Sequence, residues 1–160
     1  MEVKGIEIPV PEGANVILGQ THFIKTVEDI YETIVNTNPD MKFGIGFCEA
    51  SGPCLVRYEG NDEEMIRLAQ ESALKVGAGH FFIIYLREGY PINILPRLRT
   101  VPEVCTIFCA TANPVTVLYV DDERGRGIVG VIDGFRARGI EGREDRRSRK
   151  EFLRKIGYKF

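Results

Sequence analysis

Residues 80–87 read HFFIIYLR, and this stretch does most to decide the fold. Six apolar residues follow one another from 81 to 86, and the aromatic and β-branched side chains among them favour strands. The run therefore predicts a central strand of a sheet. It is also the longest strongly apolar run in the chain, far below the roughly 18 residues that a membrane-spanning helix needs.

Segments of alternating type surround this strand. Four helices are predicted: one from Thr26 to the Asn38-Pro39-Asp40 stop, one from Asn61 or Asp62 to Gly77, and one each over 91–99 and 143–156. Residues 26–29, Thr-Val-Glu-Asp, resemble a capping box for the first helix. The remaining strand-like segments lie at 3–10, 14–20, 42–50, 54–59, 104–112, 114–120 and 127–133.

This order of segments predicts an α+β fold with α/β-like character. The first half alternates strands with helices, whereas the second half has consecutive strands, so a mixed sheet is favoured over a purely parallel one. We expect about six strands and three to four helices in a single compact domain over residues 1–160.

The composition excludes several classes of protein. With 160 residues, 44% hydrophobic and 28% charged, the chain resembles an ordinary globular domain and not a disordered or coiled-coil protein. Its N-terminus, MEVKGIEIPVPEG, does not resemble a signal peptide. We therefore expect a cytoplasmic location and no association with membranes.

Charge is divided unevenly along the chain. Residues 1–135 carry a net charge of −8 and residues 136–160 a net charge of +6, which together give the overall −2. The basic segment predicts an amphipathic helix that docks on the acidic surface of its own fold or of a neighbouring subunit. Binding to nucleic acid or phosphate is the alternative, although the acidic body makes nucleic acid an unfavourable partner.

Standard catalytic motifs are not found in the sequence. It contains no Walker-type phosphate loop. Residues 125–130, GRGIVG, have dinucleotide-loop spacing, but they lie inside a strand-like run instead of between a strand and a helix. Four cysteines, at 48, 54, 105 and 109, do not match a zinc motif and are predicted to be buried, reduced thiols. Asp121, Asp122 and Glu123 favour a solvated turn over a divalent-ion site.

Two histidines lie beside predicted strands. His22 precedes the helix that begins at Thr26, and a helix N-terminus with the nearby Lys25 favours an anion such as phosphate. His80 stands between Gly79 and the central strand. Each histidine is interpreted either as a functional group or as an ordinary structural residue.

Polar groups in three turns are further candidates. Glu49, Ser51 and Gly52 follow one strand, where a ligand site or a plain turn is expected. Thr111 and Asn113 can hydrogen-bond a purine or a ribose, or can simply close a turn. A last candidate is Asp133, which ends a strand as a potential general base or as a turn cap.

Six blocks of the sequence together resemble the adenosine-specific kinase family, small proteins mostly of archaea and thermophilic bacteria. The resemblance covers nearly the whole chain in order. The blocks are GQTHFIKTVEDIYE (19–32), FGIGFCEASG (43–52), GAGHFF (77–82), the PIN, PEVC and IFCATANP elements of 91–114, GRGIVGVIDG (125–134) and LRKIGYK (153–159).

The resemblance implies binding of adenosine and AMP, a histidine that becomes phosphorylated, and a symmetric trimer or hexamer. A neutral imidazole is a competent phosphoryl acceptor, and it would pass the group to the 5′-hydroxyl of adenosine. His22 is preferred over His80 as the nucleophile, with Lys25 on the phosphate. The remaining roles are a base from Asp133 or Glu49, and nucleoside binding by Thr111 and Asn113.

The cofactors are left open by this resemblance. No cofactor is firmly implied, the phosphoryl donor is not named, and Mg²⁺ is compatible with the chemistry. A non-catalytic adenosine- or AMP-binding sensor is the alternative function, because no segment resembles a site for ATP.

Overall fold

A computed structural model of the chain describes residues 1–160 as eight strands and four helices. The α+β fold class predicted from the sequence is confirmed, and every predicted strand and helix is present. None of the helices has both the length and the apolar character needed to cross a membrane. In chain order the elements are β1 (Lys4–Ile8), β2 (Asn15–Thr21), α1 (Thr26–Thr37), β3 (Lys42–Cys48), β4 (Val56–Gly60), α2 (Glu63–Val76), β5 (Phe81–Arg87), α3 (Pro91–Leu98), β6 (Val104–Thr111), β7 (Val115–Asp121), β8 (Arg126–Asp133) and α4 (Arg143–Lys155).

The strands form two sheets, where a single mixed sheet of about six strands was expected. Five strands pair in the order β4-β3-β5-β2-β6 and three in the order β1-β7-β8, and all neighbours are antiparallel. Strands β2 and β3, joined through α1, do run parallel to each other, as a strand–helix–strand unit predicts. They do not pair because β5 lies between them and is antiparallel to both.

The central strand β5 is buried on both faces. Its side chains alternate between two apolar cores, with Phe81, Ile83 and Tyr85 in one and residues 82, 84 and 86 in the other. The first core is covered by α2 and the three-stranded sheet, and the second by α1 and α3. This two-sided burial explains why the segment reads as an unbroken apolar run.

Helices α1 and α2 begin differently. Helix α2 is capped as predicted, because the Asp62 side chain accepts a hydrogen bond from Met65 N at 3.0 Å. The capping box predicted for α1 is absent. Thr26 lies inside the first turn and its hydroxyl donates back to Phe23 O at 2.8 Å, while the Asp29 carboxylate binds Lys25 Nζ at 2.8 Å.

Two expectations about the second half of the chain are settled by the fold. Gly127 and Gly130 lie within β8, so the glycine spacing at 125–130 belongs to a strand and not to a phosphate loop. Helix α4 buries none of its residues. The expectation that it docks on its own fold is therefore wrong, because no other part of the same chain covers its apolar side chains. Docking on a neighbouring subunit, the other expectation, stays a prediction.

Candidate functional site

The two histidines lie at the same end of the five-stranded sheet. His22 directly follows β2 and His80 directly precedes β5, and these strands are antiparallel neighbours. Thr21 N donates to His80 O at 3.0 Å, and His80 N donates to Cys48 O at 2.8 Å. The ends of strands β2, β3 and β5 thus bring both predicted catalytic histidines to the same end of the five-stranded sheet.

His80 is held firmly at this edge. Its φ of 62° is unusual for a residue other than glycine, and such strained backbone is often found at functional sites. The imidazole stacks on the Phe47 ring, with 5.9 Å between centroids and 8° between planes. The two main-chain hydrogen bonds fix the backbone of His80 and the stacking orients its ring, while the residue is half-buried.

His22 is exposed and precedes the first turn of α1. Its main-chain N donates to Glu103 O at 3.0 Å, which ties the loop to the start of β6. Phe23 follows with a φ of 84° and turns the chain into the helix. An exposed imidazole beside the positive end of a helix dipole is well placed to meet a phosphate group.

An acidic pair surrounds the predicted phosphate cation. Lys25 Nζ lies 2.8 Å from Asp29 Oδ2 and 3.7 Å from Glu103 Oε1. Glu103 is only 2% exposed, and neither carboxylate oxygen has a hydrogen-bond partner. The hydrogen bond that Lys25 donates to Asp29, reinforced by the charges of both carboxylates, raises the pKa of Lys25.

The two carboxyl groups of this cluster shift in opposite directions. Burial, and then contact with Asp29, raises the pKa of Glu103. The neighbouring Glu103 carboxyl, and then the Lys25 ammonium, lower the pKa of Asp29. Two ionised carboxylates cannot donate to each other, so a hydrogen bond between Glu103 and Asp29 requires that the pair hold a proton. Glu103 was not among the predicted site residues, although a lone carboxylate within the otherwise apolar stretch VPEVC was a usable signal.

Glu49 is already paired with a cation. Arg57 Nη2 donates to Glu49 Oε1 at 2.8 Å, and this hydrogen bond lowers the pKa of the Glu49 carboxyl. A carboxylate stabilised in this way is a weakened base. Ser51 and Gly52 lie in the exposed turn that follows, where Gly52 adopts a left-handed φ of 60°.

A cleft of about 560 Å³ opens between this turn and the β7–β8 hairpin. Its volume is in the range of small-molecule sites. Glu49 and Gly79 line it, and His80 follows Gly79 in the chain, although neither histidine is among the lining residues. Sequence reasoning missed the basic side chains Arg124 and Arg126 on its far wall. The remaining lining residues are Met1, Cys48, Ala50, Cys54, Val56, Leu74, Gly77, Val120, Asp122, Gly125 and Gly127.

The two arginines in the cleft differ in their freedom. Arg126 lies over the Tyr119 ring at 4.7 Å and donates to the last carbonyls of α2, so its position is fixed by the fold. The Arg124 side chain is 93% exposed and pairs only with Asp122, at 3.3 Å. Arg124 is therefore the more available cation for a ligand.

The acidic run at residues 121–123 forms a turn that is held by internal bonds. Asp121 pairs with Lys4 and Arg126, and Asp122 accepts hydrogen bonds from two main-chain N–H groups of the same turn. No group of three or more His, Cys, Asp or Glu side chains is placed to hold a metal ion.

Thr111, Asn113 and Asp133 form a second cluster where β6 and β8 end, at the opposite end of β2 from the histidines. Thr111 Oγ1 accepts from Asn113 N at 2.9 Å, and Asn113 Nδ2 donates to Asp133 Oδ1 at 3.4 Å. Thr111 pairs with Val16, five residues along β2 from the Thr21 end, which corresponds to about 17 Å. Within one chain, a nucleoside bound beside His22 does not reach these residues.

The cysteines differ from the prediction in part. Cys48 is buried, and burial raises its pKa to about 11. Cys54 and Cys105 are exposed, because one lies in the turn after β3 and the other on the edge strand β6. No two of the four form a disulfide.

Comparisons with known proteins agree on a family. The family model described as adenosine specific kinase matches residues 6–159. The crystal structure of PH1918 protein from Pyrococcus horikoshii OT3 is similar, with a TM-score of 0.95 and 43% sequence identity over 99% of this chain and 98% of that one. Among curated proteins, none matches this chain.

Proposed function

The chain belongs to the adenosine-specific kinase family, and we propose that it binds adenosine and AMP and transfers a phosphoryl group from a histidine to the adenosine 5′-hydroxyl. One observation carries this proposal. His22, His80 and the start of α1 lie at the same end of the five-stranded sheet, and Gly79, next to His80, lines a cleft large enough for a nucleoside.

The ligand is proposed to lie with its nucleoside in the cleft and its 5′ end toward the histidines. Arg124 and the rim of the β7–β8 hairpin supply polar contacts, and Gly79 allows close approach next to His80. The phosphate of AMP is then directed toward the N-terminus of α1 and Lys25. Thr111 and Asn113 contact the same ligand only where a neighbouring subunit brings them there.

The transfer step is a displacement at phosphorus. The bond from phosphorus to the imidazole nitrogen of His22 breaks as the bond to the 5′-oxygen forms, and the hydroxyl proton passes to a base. Glu49 on the cleft wall is the base available within the chain, provided that its ion pair with Arg57 opens. Asp133 can serve only across a subunit boundary. Lys25 and the helix N–H groups stabilise the charge on the equatorial oxygens.

The alternative function is a binding module that senses adenosine and AMP without turnover. One observation favours it: Lys25 is already matched by Asp29 and Glu103, so the cluster offers no net positive charge to a transferring phosphoryl group.

Intact-mass spectrometry of the purified protein, with and without adenosine, tests the proposal. Incubation with a set of nucleotide, acyl and enol phosphates should add about 80 Da, the mass of one phosphoryl group. Adenosine should remove this adduct as AMP appears, whereas guanosine, the matched control, should not. If adenosine and AMP bind but no donor yields an adduct that adenosine consumes, the sensor function is correct. Failure of both to bind contradicts both functions.

A homo-oligomer, trimer or hexamer, is part of the same proposal. The segment 134–160, called here the arm, carries exposed apolar side chains, with Phe152 on α4 58% exposed and Ile156 just after its end 45% exposed. Its charge is opposite to that of the acidic body. The free edge of β6 borders a groove whose lining is mostly apolar and includes Leu95 and Phe108. We assign this groove to the arm of a second copy, because edge strands are ordinarily covered and both the groove and the exposed side chains Phe152 and Ile156 of the arm are apolar.

Replacing Phe152 and Ile156 by serine should shift the protein toward the monomer. The double variant removes the apolar anchors of the arm while leaving the body intact, so light scattering should give a mass close to 18.0 kDa. Arg147→Gln is the control, because Arg147 already pairs with Glu144 and Glu151 in its own helix. An unchanged mass for the double variant would refute docking by the arm.

A cytoplasmic location completes the proposal. Four free thiols suit a reducing compartment, and adenosine and AMP are metabolites of the cell interior.

A further inference from the structure

Glu103 presents a paradox at a site proposed to hold phosphate. It is nearly completely buried, both of its oxygens are unpartnered, and it lies beside the N-terminus of a twelve-residue helix that favours anions. A buried carboxylate with no donor is costly, and a second negative group nearby raises that cost. A single proton would remove both problems, because protonated Glu103 can donate to Asp29.

We infer that Glu103 and Asp29 form a proton-accepting pair that takes up one proton when a phosphate group binds beside Lys25. The inference rests on the proposed function and adds to it the means by which the site tells AMP from adenosine. Glu103 acts here as a positioning residue, since Lys25 and the His22 loop stand between it and the ligand.

The charges around the pair support one proton per binding event. Lys25 is the only cation in contact with the two carboxylates, so it cannot neutralise both. The other charged or titratable groups nearby are His22 in the loop before α1, Glu28 and Glu32 on α1, Arg97 on α3 across the hollow that Asp29 lines, and Cys105, whose Sγ donates to Glu103 O.

Both responses of Lys25 to phosphate lead to the same result. If the ammonium turns outward to the phosphate, Glu103 loses the cation 3.7 Å from its Oε1 and is left as a buried, uncompensated charge. If the ammonium stays, the phosphate adds about −1.5 to −2 charge at the same site. In either case the protonated form of Glu103 is stabilised relative to the ionised form. This is the same direction in which burial already raises the pKa of Glu103.

Calorimetric titration with AMP and with adenosine, from pH 6 to pH 9, tests the inference. Above the pKa of the free pair, AMP affinity should fall by about tenfold per pH unit, as linkage to one proton requires, whereas adenosine affinity should stay level. Glu103→Gln should remove the wild-type slope, because a glutamine amide donates to Asp29 at every pH. Glu32→Gln, on the same helix as Asp29, should retain the pH dependence of the wild type.

Proton uptake itself is measured by repeating the AMP titration in buffers of different ionisation enthalpy. The phosphate of AMP titrates near pH 6, but this contribution is common to both proteins. The number of protons taken up on AMP binding should therefore be larger for the wild type than for Glu103→Gln, by up to one proton per site. Equal uptake by the two proteins would overturn the inference while leaving AMP binding intact.

A second readout does not depend on AMP. Inorganic sulfate does not titrate in this range, and adding it should increase an infrared carbonyl band of a protonated carboxylic acid that Glu103→Gln lacks. Asp29→Asn, which keeps a donor opposite Glu103, serves as a second variant if Glu103→Gln fails to fold. No sulfate-dependent band in the wild type refutes the pair, and this holds even if AMP does not bind and the proposed function fails.

Discussion

His22→Asn should abolish the phosphoryl adduct while the protein still binds adenosine. Asparagine keeps the size and polarity of the side chain but has no nucleophilic ring nitrogen. Because His22 is exposed and only its main chain holds the loop, the substitution should leave the fold unchanged. Intact mass should therefore show complete loss of the added 80 Da or so of one phosphoryl group, with adenosine affinity within about threefold of wild type.

His80→Asn is the matched variant. Asparagine tolerates the left-handed φ of 62° that an alanine at this position would not adopt readily. We expect this protein to accept the phosphoryl group but to bind nucleoside more weakly, since loss of the ring stacked on Phe47 loosens the cleft wall beside Gly79. An adduct in His22→Asn that is missing in His80→Asn would assign the nucleophile to His80.

The positions of the elements were predictable from the sequence, but the pairing of the strands was not. Periodicity and stop signals marked each segment, because they depend on neighbouring residues alone. The β2–α1–β3 unit, by contrast, looks like one half of a parallel sheet. Only the insertion of β5 between β2 and β3 makes the sheet antiparallel, and that depends on contacts distant in sequence.

The same limit applies to the candidate site. His22 and His80 were each recognised at the end of a strand, but no local signal says which strand ends share an edge. The ends that carry Thr111 and Asp133 lie at the other edge, although the residues there look equally suited to a ligand. Glu103 was missed for a related reason, since the residues that contact it, His22 and Lys25 in the loop before α1, are distant from it in sequence.

Gly44→Ala should cause a large loss of stability, because α2 packs directly on β3 at this position. A Cβ on Gly44 would lie 2.3 Å from Ile66 N and from the carbonyl carbon of Met65, both of which are main-chain atoms. The helix must therefore move, and overpacking of this kind costs about 3 kcal/mol. For a chain of this length that lowers the melting temperature by about 6–12 °C.

Gly127→Ala is the matched control for Gly44→Ala. It also lies within a strand, but its Cβ would meet only the Val120 side chain, at 3.7 Å, so it should be neutral or slightly stabilising. The displacement in Gly44→Ala has a functional consequence as well, because α2 leads through Gly77 and Gly79 to His80. AMP affinity should therefore fall together with stability in Gly44→Ala. Equal melting temperatures for the two variants in differential scanning calorimetry would show that α2 can shift without cost, and that it does not position the edge of the sheet.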